Sequence, residues 1–363
     1  MKIVTIIGAR PQFIKASVLS IELIKNNIQE VIVHTGQHFD PNMSDIFFNQ
    51  MDIPRPQYIL DINGLNHGAM TGRMLEQIET ILLNESPDFV LVYGDTNSTL
   101  AGSLAAKKLH IKVIYIEAGL RSFNMNMPEE INRILTDRIS NYLFCPTDAA
   151  IDNLHKEGFA RFNCKVESVG DVMYDCFLHF KSKQQKPEFL ENTATPFILA
   201  TIHRAENTDD INNLTNIVKF FNDLHRDGYN VILPIHPRTR NIIANTGLKL
   251  DFMVVEPVGY LEMLWLLNNC AAVITDSGGM QKEAYFAKKK CLTLRTETEW
   301  VELVNIGWNT LINPQQAIQI VDKNFITPKK YINFYGNGDA CSKIVAILLL
   351  DFNNKKKVIT CVE

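Results

Sequence analysis

Short runs of β-branched and aliphatic residues alternate with longer stretches of helical period, and the alternation occurs twice along the chain. In the first series the pattern predicts strands over Lys2–Ile7, Glu30–His34, Asp88–Tyr93, Lys112–Ile116 and Tyr142–Cys145. Helices are predicted over Pro11–Asn26, His67–Leu83, Ser98–Leu109 and Pro128–Ile139. Strands with continuous apolar content suit a parallel sheet covered on both faces. Their βαβα order predicts a doubly wound α/β domain. The pattern breaks at Lys181–Pro196, a polar segment with two prolines that reads as a linker. A second series follows, with strands at Phe197–Thr201, Asn230–Ile235, Phe252–Glu256, Ala271–Thr275 and Lys290–Leu294. Helices are predicted at Asp209–Arg226, Tyr260–Asn268 and Gly278–Ala287. A chain of 363 residues exceeds the roughly 100–200 residues typical of one domain. The expectation is two α/β domains, 1–180 and 181–340, facing each other across a cleft. In open α/β sheets ligands bind beyond the carboxyl ends of the strands, so the informative residues are those that follow strands.

Composition removes several function classes. The formal charge of −4 shows none of the basic surplus expected of a general nucleic-acid binder. No apolar run reaches the roughly 20 residues that cross a bilayer. The opening apolar run ends in Gly8-Ala9-Arg10-Pro11, which reads as a strand and its turn rather than a leader and its cleavage site. A cytoplasmic protein without a membrane partner is expected. The seven cysteines are odd in number and form no CxxC pair, which argues against a disulfide framework or zinc knuckle.

Four groups of residues follow strands. Gly8–Lys15, GARPQFIK, places Arg10 and Lys15 near a helix start, where backbone N–H groups already favour an anion. The spacing fits an ordinary strand-to-helix turn equally well. Asp276-Ser277-Gly278-Gly279 precedes a helix that carries Glu283. Ser277 suits an N-cap, and the glycines let a phosphate approach the backbone. An acidic group comprises Asp95, Glu117 and the pair Glu129 and Glu130. Carboxylates held close together have proton affinities pushed apart, which suits general acid and base work. Glu129 and Glu130 also fit the ordinary acidic first turn of a helix. Finally, His203-Arg204 and His236 follow consecutive strands of the second half and could wall a diphosphate. His34 and His38 follow a strand and do not share a helical face, so no metal centre is expected.

At these residues the chain resembles the non-hydrolysing UDP-N-acetylglucosamine 2-epimerases along nearly its whole length. The strings GARPQFIKA, VYGDTNSTLAGSLAA, IEAGLRSFN, PEEINRILTD, HRAEN and DSGGMQKEA occur in the family's order. The resemblance implies a glycosyltransferase-B-type fold of two Rossmann-like domains. It implies that the C-terminal helix, about 341–363, packs back on the first domain. It places acid/base chemistry on Asp95, Glu117 and Glu129, with His203 beside the departing nucleotide. Diphosphate and nucleotide contacts fall on Arg10, Ser277, Gly278, Gly279 and Glu283, and Lys15, Arg133 and His236 also lie in matching motifs. It implies a homodimer and no cofactor. The chain departs from the family's pattern at Gln12, in GARPQ for GTRPE, at Ala205 and at Trp300-Val301. Its Gln37–Met43 segment replaces a string that helps bind an activating second UDP-sugar. These variants lie closer to the branch acting on UDP-2,3-diacetamido-2,3-dideoxyglucuronate in surface-polysaccharide synthesis.

The implied reaction interconverts UDP-GlcNAc and UDP-ManNAc by eliminating UDP to a glycal and adding it back. A glycosyltransferase would need an acceptor site and fewer carboxylates. A hydrolysing epimerase matches the GDTNST and DSGG strings less well. A nucleotide-sugar sensor would not need the set Asp95, Glu117, Glu129 and His203.

Overall fold

The computed structural model describes residues 1–37, 51, 53–190, 196–235, 237–315 and 325–360, with the backbone alone at 237 and 355–360. The chain divides into two units, Met1–His179 with Asn333–Glu363, and Phe180–Ile332.

The first unit contains β1 (Lys2–Ile7), α1 (Arg10–Lys25), β2 (Gln29–His34), β3 (Tyr58–Ile59), α2 (His67–Glu85), β4 (Phe89–Tyr93) and α3 (Asn97–Lys108). It continues with β5 (Lys112–Ile116), α4 (Pro128–Ile139), β6 (Tyr142–Cys145), α5 (Asp148–Lys156), β7 (Lys165–Ser168) and α6 (Val172–Phe180). The second unit contains β8 (Phe197–Thr201), α7 (Ala205–Thr208), α8 (Ile211–Arg226), β9 (Asn230–Pro234), α9 (Pro237–Thr246) and β10 (Met253–Val255). It closes with α10 (Tyr260–Asn269), β11 (Ala272–Thr275), α11 (Gly278–Phe286), β12 (Lys290–Thr293), α12 (Val301–Asn305) and β13 (Asn309–Leu311). A final helix, α13 (Ala340–Thr360), belongs to the first unit. There Asp175 caps its start by accepting from the N–H groups of Ala340 and Cys341 at 3.2 and 2.8 Å.

Both sheets are parallel, in the orders β3-β2-β1-β4-β5-β6-β7 and β10-β9-β8-β11-β12-β13. This is the α/β class that the apolar strands predict. Every residue of β4, FVLVY, is buried, as a strand with helices on both faces requires. Helix α8 shows the matching helical pattern: Leu214, Ile217, Phe221 and Leu224 fall on one face and pack on Ile198, Val231 and Leu233 of the sheet. Asp210 caps this helix, accepting from Asn212 N–H at 2.8 Å.

Strand order reverses between β1 and β4 and again between β8 and β11. Such switch points open a crevice at the carboxyl ends of the strands. At the first of them Gly8 leaves β1, where an added Cβ would collide with the hydroxyls of Thr35 and Ser98. Strands β3, β7 and β13 were not predicted from the sequence pattern. They are short edge strands, and β7, KVES, has no buried residue and carries no apolar run to find. Among the described residues no helix is long and apolar enough to cross a membrane.

Candidate active site

Two groups of polar side chains stand at the two switch points. In the first unit the β1–α1 turn brings Arg10 to the first position of α1, half-buried, with Pro11 beside it. Gln12 locks this turn to the next strand. Its Oε1 accepts from Gly8 and Ala9 N–H at 2.8 and 3.0 Å. Its Nε2 donates to the Tyr93 carbonyl at 2.8 Å and to the Thr96 and Thr99 hydroxyls, both at 3.0 Å. The buried amide thereby ties the β1 and β4 turns together, a joint that needs a donor and an acceptor on one side chain.

Asp95 follows β4 and pairs with Arg133, whose guanidinium also holds Glu130 Oε2 at 2.7 Å. The Asp95 side chain is 36% exposed. Its carboxyl is nonetheless raised: surrounding protein disfavours its charge, the Arg133 cation opposes this, and Glu129 and Glu117 add repulsion. The neighbours Glu129 and Glu130 on α4 have different fates. Glu130 is buried and accepts from Ser122 and Phe123 N–H at 3.0 and 2.9 Å. Burial pushes its carboxyl up, but these N–H groups and Arg133 more than offset that and lower it. Glu130 therefore anchors the loop, while Glu129 stays half-exposed.

Glu117 follows β5 with φ of 71°. The left-handed region costs a non-glycine residue roughly 1–2 kcal/mol, so something must hold it there. The N–H groups of Glu117 and Ala118 both donate to the Phe144 carbonyl at 3.1 Å. Arg121 secures the rest of the turn, reaching Asp137 at 2.7 Å and Glu157 at 2.7 and 2.9 Å. The Glu117 carboxylate forms an ion pair with Lys15, which is 5% exposed. Lys15 thus stands on the acidic group. Gly94, beside this pair, adopts a φ of 60°, in the left-handed region that favours glycine.

In the second unit Ser277 caps α11, its hydroxyl accepting from Met280 N–H at 3.4 Å. The first-turn N–H groups of a helix have no intrahelical partner and carry its positive end. Gly278 has a close neighbour, because an added Cβ would strike Glu299 Oε1 unless that side chain shifted. That carboxylate is itself held by Arg295 at 3.0 Å. Glu283 is buried further along α11.

Opposite this cap, after β8, lies His203. Its Nδ1 is 3.0 Å from Asp276 Oδ1, and its side chain is 55% exposed. Asp276 is fully buried and accepts from the N–H groups of His203 and Arg204, both at 3.0 Å, and from Asn207 Nδ2 at 3.2 Å. Burial alone would raise its carboxyl, but His203 and these donors bring it down to about 2. Arg204 is half-buried. His236 lies outside the described residues. No group of three His, Cys, Asp or Glu side chains suited to a metal occurs among the described residues.

Sequence pattern alone missed Gln12, Glu130, Arg121, Asp137 and Asp276 as organising residues. Gln12 had a local signal, since glutamine at the third position of a helix is a capping residue. Asp137 had none, because its partners Gly119 and Arg121 lie on a different element.

A family model described as UDP-N-acetylglucosamine 2-epimerase matches residues 22–349. The UDP-2,3-diacetamido-2,3-dideoxy-D-glucuronate 2-epimerase of Pseudomonas aeruginosa is 57% identical, over 96% of this chain and 99% of its own length. A UDP-N-acetylglucosamine 2-epimerase homolog of Methanococcus maripaludis is 49% identical, over 96% and 99%. The crystal structure of the Methanocaldococcus jannaschii UDP-GlcNAc 2-epimerase, in complex with UDP-GlcNAc and UDP, superposes with a TM-score of 0.90 at 43% identity. That match covers 96% of this chain and all of the other.

Proposed function

Since the chain belongs to the UDP-N-acetylglucosamine 2-epimerase family, we propose that it inverts carbon 2 of UDP-N-acetylglucosamine to give UDP-N-acetylmannosamine, and the reverse. It is an isomerase of the non-hydrolysing kind. The observation that carries the reading is a division of labour. Carboxylates gather at the switch point of the first unit, and a capped, glycine-led helix start with an exposed histidine stands at that of the second.

The hydrogen on carbon 2 is not acidic, because no carbonyl adjoins that carbon. Breaking the bond from carbon 1 to the β-phosphate oxygen, with the electron pair leaving on oxygen, creates an oxocarbenium-like centre and acidifies it. The Ser277–Gly279 helix start, His203 and Arg10 stabilise the leaving diphosphate as preorganised donors. Glu283 receives the ribose hydroxyls. One carboxylate then takes the proton from carbon 2, leaving a double bond between carbons 1 and 2. Another carboxylate delivers a proton to the opposite face, and the phosphate oxygen bonds again to carbon 1.

Glu117, charged beside Lys15, suits the accepting role, and Asp95, with its raised proton affinity, suits the donating one. Glu129 completes the set, and Arg133 orients Asp95. Lys15 serves as the partner of Glu117 rather than as a phosphate ligand. General acid–base catalysis supplies about 10²–10⁴-fold, so stabilisation of departing UDP carries much of the remainder. No cofactor is needed, and a cytoplasmic homodimer completes the reading.

A second reading is favoured by one observation, the 57% identity to the Pseudomonas aeruginosa relative. On that reading the same chemistry acts on UDP-2,3-diacetamido-2,3-dideoxyglucuronate. Incubation with each sugar nucleotide, followed by proton and phosphorus NMR, separates the possibilities. Appearance of the carbon 2 epimer with UDP attached supports epimerisation and identifies the sugar. Free sugar plus UDP points to hydrolysis, and no change with either substrate overturns the proposal.

A further inference from the structure

The carboxylate of Asp276 is fully buried, yet the imidazole it touches is 55% exposed. Four donors converge on it: the N–H groups of His203 and Arg204, the Asn207 amide and His203 Nδ1, at 3.0, 3.0, 3.2 and 3.0 Å. Asn207 is fixed in turn by donating to the Leu294 carbonyl at 3.1 Å. An ionised carboxylate can only accept, so Nδ1 of His203 must carry a hydrogen. Of the four donors, only the imidazole can bring a positive charge.

This settles what the exposed edge of His203 offers. With its proton on Nδ1, a neutral imidazole presents a lone pair at Nε2. Phosphate oxygens are acceptors too, and a lone pair there would repel them. Only the imidazolium presents an N–H at Nε2 while keeping the one at Nδ1. An asparagine could satisfy the two backbone N–H groups almost as well as aspartate. What the carboxylate adds is a countercharge placed behind the imidazole.

Resting on the epimerase reading above, we propose that Asp276 is a positioning residue that acts through His203. It fixes the ring by Nδ1 and stabilises the doubly protonated form, so that Nε2–H faces the β-phosphate oxygen that gains the electron pair when the bond to carbon 1 breaks. The proton stays on the imidazole throughout, and the same contact is released when that oxygen bonds again to carbon 1.

Nitrogen-15 NMR of histidine-labelled protein tests the pairing without any turnover, the His203 signals being identified by their loss in His203→Gln. With saturating UDP at neutral pH, both ring nitrogens of His203 are expected to be protonated. A neutral His203 carrying its proton only on Nε2 in the UDP complex overturns the proposal. The kinetic test is a double-mutant cycle with Asp276→Asn and His203→Ala, read as kcat and KM separately. Asp276→Asn alone should lower kcat by about 10–100-fold, the scale for residues that orient a liganding histidine. In the His203→Ala background the same change should cost less than about threefold, because coupled residues are non-additive. Equal losses in both backgrounds would make Asp276 a structural anchor of the turn and sink the proposal. If the wild type epimerises no UDP-sugar while His203 still responds to UDP as expected, the epimerase reading fails and the pairing stands.

Discussion

Arg121→Met separates the electrostatics that hold the turn after β5 from the chemistry carried on it. The guanidinium is buried and bonds to Asp137, to Glu157 and to the Leu120 carbonyl, the last at 2.7 Å. One cation is thus shared by two carboxylates. Burial pushes Asp137 up to about 6, more than Arg121 brings it down. Methionine fills comparable space without the charge. It would leave Asp137 fully buried, with Gly119 N–H at 3.1 Å as the remaining described donor. Breaking a buried pair from one side costs about 3–5 kcal/mol, because the stranded charge loses its compensation.

The cost should depend on pH. A carboxyl whose folded value lies above its unfolded one contributes stability that is present at low pH and lost as pH rises through the folded value. In Arg121→Met the missing cation raises Asp137 further, so the loss deepens as pH rises above about 6, where the wild-type carboxyl ionises and the variant's still holds its proton. Urea denaturation at pH 5 and pH 7.5 reads this directly. Expected losses are about 1–3 kcal/mol at the lower pH, where a neutral carboxyl has merely lost hydrogen-bond partners, and about 3–5 at the higher. Turnover should fall as well, since the same turn carries Glu117. A loss below about 1 kcal/mol at pH 7.5, or the same loss at both pH values, would refute the assignment of this buried pair.

Asp95→Asn should lower kcat by about 10²–10⁴-fold while calorimetry finds UDP affinity nearly unchanged, and retained turnover would remove Asp95 from proton transfer. Gly278→Ala sets a Cβ against Glu299 Oε1 and strains the helix start. Overpacking of about 1–3 kcal/mol should appear as weaker UDP binding by titration. Gln12→Ala breaks the joint between the β1 and β4 turns. Thermal unfolding should register about 1–3 kcal/mol from the buried groups left unpaired, and an unchanged midpoint would contradict that role.

Much of the architecture is legible because parallel strands must be apolar throughout, and β4 and β5 show it. What escapes the pattern is whatever depends on a partner distant in the chain. Edge strand β7 has no run of its own to betray it. Glu129 and Glu130 are indistinguishable by composition, and only the N–H groups of Ser122 and Phe123 separate an anchor from a half-exposed acid. Lys15 reads as a phosphate ligand from its place near a helix start, yet Glu117, 102 residues away, claims its ammonium. Asp276 reads as part of a glycine turn until His203 is seen on its carboxylate. Local spacing locates the strand ends, and tertiary contacts decide what each side chain does there.

On the proposed mechanism, carboxylates of the first unit exchange the carbon 2 proton while the departing UDP is stabilised by Arg10 and by groups of the second unit. Turnover of the epimerised UDP-sugar in D₂O measures it, with carbon 2 followed by proton NMR. Deuterium is expected at carbon 2 of a product that still carries UDP, with its incorporation slowed by about 10²–10⁴-fold in Asp95→Asn. An inverted product that keeps its original hydrogen would contradict the mechanism.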